Sequence, residues 1–290
     1  QVEAAWKKNR NDPLFRAIDS DTGNGSSYNQ LRTHATVTVD ITLPANIRLA
    51  SNPSARTVKL RRGVPSTLDA PRFDQTIMFD TREPTLQSQA LHAIQGHAQA
   101  RRNPTQTELN SLVDFERVLF SSATMLNYAL TGKAPALPAG KTESEKRGKA
   151  FFAPEALCGS CHFGALLNVN TQFNPLGLPA GTQFSTSLVS DVNFKGDPTQ
   201  EYIVTNPDGT ETRVTSPDPG MMLVTGNAQH ANLFKMVSLR SLQKTAPYFH
   251  DNSAKDIAGI MRQYKALLEI LGVPHTEQDL TDMGNYMKLL

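Results

Sequence analysis

Residues 157–165 read LCGSCHFGA, and they contain both cysteines of a 290-residue chain, Cys158 and Cys161, with His162 directly after. Three chemistries use two thiols at this spacing. A dithiol redox pair is expected at the start of a helix inside a βαβ unit. No strand-rich βαβ pattern precedes this stretch. Half of a zinc site would need a second cysteine pair or a later H-x₃₋₅-H. The remaining histidines, His34, His92, His97, His230, His250 and His275, supply no such pair after the cysteines. Covalent haem attachment uses every residue of Cys-x-x-Cys-His. Thioethers from Cys158 and Cys161 would tether the porphyrin, and His162 would become the proximal iron ligand. The motif therefore points to one haem c in this chain.

Working outward, the bulk composition narrows the partners. A chain of this length buries roughly three quarters of its unfolded surface, enough for one large domain or two modest ones. Its 29 basic residues nearly balance 27 acidic ones. That balance, with no basic run, argues against a nucleic-acid partner held by phosphate neutralisation. No apolar stretch reaches eighteen residues, so no membrane span is expected. The first residues, QVEAAWKKNR, carry no apolar signal region. Haem c is normally attached outside the bacterial cytoplasm, so a periplasmic, processed form is expected.

Local patterns predict a mainly α chain with minor β. Residues 1–33 read as irregular. ATVTVDITL at 35–43 alternates Val37, Val39, Ile41 and Leu43 on one side, a strand pattern. Val58 and Leu60 suggest a second short strand. A helix is expected from Pro84-Thr85 to about Arg101. Thr105-x-x-Glu108 is a capping box ahead of Leu109, Leu112, Val113, Phe115 and Leu119. GKAPALPAG at 132–140 is a Gly/Pro linker and the expected domain boundary. Thr142-x-x-Glu145 caps the helix that leads through Phe151 and Phe152 to the cysteines. EYIVTNPDGTETRV reads as a hairpin turning at Asn206-Pro207-Asp208-Gly209. Ile257, Ile260, Met261, Tyr264, Leu267, Leu268 and Leu271 recur at helical spacing, and a last helix follows Thr276.

The second side of the iron decides the chemistry. An open position permits peroxide or oxygen chemistry, while a strong second ligand favours electron transfer. Met221, Met222, Met236, Met261, Tyr264, His230, His250 and His275 all follow the motif, and periodicity alone does not choose among them.

One stretch resembles a known family. FKMVSLRSLQKTAPYFHDNSAKDIAGIMRQY, residues 234–264, together with CGSCH, is similar to the C-terminal haem domain of the bacterial dihaem cytochrome c peroxidase and MauG superfamily. Phe234, Lys235, Ser238, Leu239, Arg240, Thr245, Ala246, Pro247, Tyr248, Phe249, His250 and Asp251 match that pattern. RRGVPSTLDAPRFDQTIMFDTREPTLQSQA, residues 61–90, resembles the family's N-terminal domain. The resemblance implies two cytochrome c-like domains, 1–135 without a haem motif and 136–290 carrying the covalent haem c. It also implies the second ligand. The family places a methionine, or in MauG a tyrosine, fourteen residues after the PYxH histidine, and here that residue is Tyr264. An anionic oxygen donor favours oxidised iron. The resemblance further implies a calcium ion held by Asp69 and the carbonyls of Thr245 and Pro247, and a haem propionate paired with Arg240. His250 falls near the haem without ligating it.

The chain departs from the pattern in places. Phe79 stands where the family has an interhaem tryptophan, Gln99 falls near the expected catalytic glutamate with His97 close by, and Met221 replaces an arginine. No second Cys-x-x-Cys-His precedes Arg62, so a first haem is expected upstream of residue 1 or not at all. No catalytic residue is assigned. The expectation is a haem oxidoreductase working with hydrogen peroxide or with an electron-donor or substrate protein. The competing expectation is a mono-haem electron-transfer cytochrome.

Overall fold

The computed structural model describes residues 2–290 and bears out the mainly α reading with minor β. Eleven α-helices lie among the described residues. They are α1 (Val2–Lys8), α2 (Asn29–His34), α3 (Ala70–Phe73), α4 (Leu86–Gly96), α5 (Gln106–Glu116), α6 (Ala123–Thr131), α7 (Glu143–Ala150), α8 (Val189–Val192), α9 (Met222–Thr225), α10 (Ile257–Ile270) and α11 (Glu277–Met287). The strands are β1 (Thr36–Thr42), β2 (Ile47–Leu49), β3 (Thr57–Gly63), β4 (Phe184–Ser185), β5 (Gln200–Thr205), β6 (Glu211–Ser216) and β7 (Phe234–Lys235).

The two expected early strands form one antiparallel ladder, β1 on β3, with Val39 opposite Leu60 and Ile41 opposite Val58. The alternation in ATVTVDITL buries Val39, Ile41 and Leu43 on one face, as a period of two requires. The hairpin forms where expected, β5 to β6, and Asn206 N–H donates to the Thr210 carbonyl at its turn. β2 pairs with β5 across more than 150 residues, a contact no local pattern encodes. These strands share a core that includes Ile47, Tyr202, Val204 and Met222.

The region expected to be irregular contains α1 and α2, and Gln1 lies outside the described residues. The reason is capping from a distance. The Asp21 carboxylate accepts the Asn29 and Gln30 N–H groups at 2.9 Å each and so satisfies the first turn of α2. α1 is held by its aromatic: the Trp6 ring packs edge-on to Phe15 at 4.9 Å. α4 ends at Gly96, five residues short of the expected Arg101, and Gln99 takes a left-handed φ of 50° that no helix continues through. The capping boxes expected at Thr105 and Thr142 form, and Thr276 with Asp279 makes a further one. On α5 only Leu109 and Val113 of the expected apolar set are buried, while Phe115 is 61% exposed.

The helices that position the cysteine motif are α7, α10 and α11. α7 crosses α11 so closely that a side chain at Gly148 would overlap the Asp282 carbonyl. Arg147 and Ser144 on α7 both bind the buried Asp282 carboxylate of α11. Phe152, just past α7, packs on Tyr286 in a core with Leu239, Ile257 and Ile260. The 132–140 stretch has neither helix nor strand, yet it is held. The Arg240 guanidinium donates to the Pro135 and Ala136 carbonyls, and the Tyr286 hydroxyl donates to Pro138.

Candidate haem site

The chain turns tightly as it leaves α7. The N–H groups of Cys158 and Gly159 both donate to the Phe151 carbonyl, and His162 N–H reaches the Cys158 carbonyl at 2.7 Å. This turn puts Cys158, Cys161 and His162 on one wall of a largely apolar cavity of about 240 Å³. Neither cysteine is in a disulfide. Burial pushes the Cys158 thiol up to about 12 and raises Cys161 as well. A dithiol redox centre needs the opposite, a thiolate stabilised near neutrality. Zinc finds no partners either: among the described residues no group of three or more His, Cys, Asp or Glu converges.

His162 is oriented by its back nitrogen. Its Nδ1 lies 2.9 Å from the Leu167 carbonyl, which can only accept, so Nδ1 carries the proton and Nε2 keeps its lone pair. Burial lowers the imidazole's affinity for a second proton and keeps it neutral. Across from it, α10 brings Tyr264 in, and the phenol oxygen sits 3.2 Å from Nε2. The phenol therefore donates to the imidazole. Burial raises the Tyr264 phenol above its ordinary value, so without a cation nearby it stays protonated. Two thiols and a lone pair fixed by a carbonyl behind it suit covalent haem attachment, and the facing phenol is an oxygen donor of a kind haem iron accepts. The residues fit that group.

The other candidate ligands separate clearly. Met261, Met236 and His250 line the cavity without facing His162 as Tyr264 does. Met222 lies in the strand core. His230 bonds the Thr225 hydroxyl, and His275 bonds the Val273 carbonyl. Met221 is buried in the turn before α9.

Arg240 lines the cavity, with three of its N–H groups bonded to the carbonyls of Ala165, Ala136 and Pro135. Asp69, Thr245 and Pro247 line the same cavity. The Asp69 carboxylate is buried and accepts from the Ser121 N–H at 3.0 Å and from the Ser121 hydroxyl. One carboxylate and two carbonyls are fewer than the six to eight oxygens calcium takes, so water would complete such a site. Phe79 is on the cavity wall. Gln99 is exposed, and His97 is bonded to Asp19 at 2.5 Å; neither lines the cavity.

The structure also reveals charged residues that the motif reading passes over. Arg62 is buried, holds Asp218 through two hydrogen bonds and contacts Asp80, which Arg82 also binds. Lys235 forms a second buried pair with Asp74 at 2.6 Å, on the cavity wall. Both arginine and lysine lie inside the two stretches that carried the family resemblance, which was the available signal.

No family model matches the chain. A cytochrome-c peroxidase of Pseudomonas sp. strain SCT is 32% identical over 108 residues, 37% of this chain and 27% of that protein. A cytochrome c peroxidase of Escherichia coli is 25% identical over 230 residues, 78% of this chain and 40% of that protein. A crystal structure of a MauG-like protein associated with microbial copper homeostasis superposes with a TM-score of 0.50 at 19% identity, covering 95% of this chain and 87% of that one. These likenesses support a relationship to the cytochrome c peroxidase and MauG superfamily. The curated superfamily members are longer: a third relative, the peroxidase of Denitromonas iodatirespirans, is matched over 48% of its length. Superfamily members carry haem c, in keeping with the cavity described above. Among the described residues no helix is long and apolar enough to cross a membrane.

Proposed function

We propose that this chain is the haem-bearing part of a periplasmic c-type oxidoreductase of the cytochrome c peroxidase and MauG type. Cys158 and Cys161 would hold the haem by thioethers, and His162 and Tyr264 would supply the donors to its iron. The observation that carries the reading is the Tyr264 phenol facing the His162 Nε2 at 3.2 Å, with the half-buried Cys158 and Cys161 on the same cavity wall. The haem supplies one-electron chemistry, and a His/Tyr pair biases it toward the oxidised state. The chain's own residues set the terms. The Leu167 carbonyl fixes the imidazole, the apolar walls exclude water, and α10 delivers the phenol. Arg240 is the proposed propionate partner, and Asp69, Thr245 and Pro247 the proposed calcium ligands. Residues 1–135 and 136–290 are the proposed two cytochrome c-like domains, with hydrogen peroxide or a donor or substrate protein as partner.

A second reading has its own support. Both sides of the site already carry a donor, and Phe79 on the cavity wall offers no easily oxidised ring. A mono-haem cytochrome that relays electrons without peroxide chemistry would look like this. Pyridine haemochrome on natively produced protein, with intact mass, tests both. Two haems per protein at a mass above 31.8 kDa supports the enzyme with a further haem segment. One haem at that mass supports the relay. No covalent haem overturns both.

A further inference from the structure

A second cavity of about 220 Å³ lies beside the first and differs from it in kind. Its wall includes Asp21, Lys59, Arg61, Asp197 and Asp251. Among the described residues, His250 is the one residue that lines both cavities. Its ring is buried and stacked on Phe234, centroids 3.7 Å apart and 8° from parallel. Its Nε2 lies 3.3 Å from the Ser190 hydroxyl, and Ser190 lines only the charged cavity. The Ser190 hydroxyl hydrogen is already committed to the Asp218 carbonyl at 2.7 Å. Its oxygen must therefore accept from His250, which makes the resting ring the Nε2–H tautomer. Nδ1 has no hydrogen bond among the described residues, and His250 also lines the haem cavity.

We propose that His250 and Ser190 form a proton path between the haem cavity and the charged cavity, an inference that rests on the haem reading above. A proton gained at Nδ1 is matched by loss of the Nε2 proton to the Ser190 oxygen, whose own hydrogen turns away from the Asp218 carbonyl and passes to water in the charged cavity. The ring's charge is unchanged and no electron moves. The product tautomer is set to carry the next proton inward, so the path suits a site that alternately loses and gains one. The flanking charges keep the ring neutral rather than trapping a proton. Burial lowers its proton affinity, Asp218 and Asp251 raise it, and Arg62 and Lys195 oppose them. The stacked Phe234 holds the ring between the two spaces. His250 and Ser190 touch neither Cys158, Cys161, His162 nor Tyr264 by hydrogen bond.

The test uses the haem-loaded protein in lightly buffered solution with a pH-indicator dye, photoreduced by a soluble flavin and then reoxidised. Native protein exchanges protons with the medium in step with each change. In His250→Phe, which keeps the stack, and in Ser190→Ala, which keeps the ring, that exchange slows by on the order of a hundredfold while the haem spectrum is unchanged. Native protein that exchanges no proton, or an unchanged rate in both variants, overturns the path. Haem content is measured on the same samples. Its loss would count against the haem reading, whereas full haem with unaltered exchange counts against the path alone.

Discussion

His162 presents its Nε2 lone pair to the Tyr264 hydroxyl at 3.2 Å because its Nδ1 proton is held by the Leu167 carbonyl. Tyr264→Met would exchange an oxygen donor for a thioether, which favours reduced iron. Spectroelectrochemistry should show the haem potential rise by on the order of a few hundred millivolts, with covalent haem retained. A potential unmoved by the substitution would remove Tyr264 from the iron.

Arg62 sits between Asp80 and Asp218 with almost no exposed surface. Burial alone would push Asp80 up, but Arg62 and then Arg82 outweigh it and hold the carboxyl down. Arg62→Met would leave buried carboxylates short of a partner, and urea unfolding should register a loss of about 3–5 kcal/mol. Adding Asp218→Asn to that variant should restore part of the loss.

Asp282 gives a pH dependence whose sign is set. Its carboxyl is lowered from 3.8 to about 2, first by the Arg147 hydrogen bonds, against the effect of burial, with help from Ser144 and Gln278. A depressed folded value means the contribution is complete above the ordinary value and is lost as pH falls through about 2. Between those limits the native protein's thermal midpoint should fall more steeply than that of Asp282→Asn. Parallel slopes would show that this carboxylate is not linked to folding.

Gly148 is where α7 meets α11, and an added Cβ would also lie 2.7 Å from the Tyr286 Cβ. Gly148→Ala should therefore destabilise by about 1–3 kcal/mol despite alanine's better helix propensity. Chemical denaturation reads this directly, and a stabilised variant would contradict the crossing.

Much of this was legible before any coordinates. The thiol pair and its histidine pointed to the site, and two capping boxes placed two helix starts because their partners are only three residues apart. Tyr264 could not be singled out by periodicity, since a helix face with Met261, Tyr264 and Leu268 is equally a packing face. Only a resemblance over residues 234–264 distinguished it. What stayed hidden is what depends on distance along the chain. Asp21 caps α2 from eight residues away. β2 finds β5 across the whole middle of the protein. Nothing local to Arg62 announces that Asp80 and Asp218 close around it.

The 132–140 stretch has the composition of a hinge, with two prolines and two glycines among nine residues. Arg240 and Tyr286 tie its carbonyls down at three successive points, Pro135, Ala136 and Pro138. A protease hunting for loose chain would pass it over while those ties last. Nicking there would report instead that the C-terminal half had come undone, which makes this segment a sentinel for the integrity of the half that holds Cys158, Cys161 and His162.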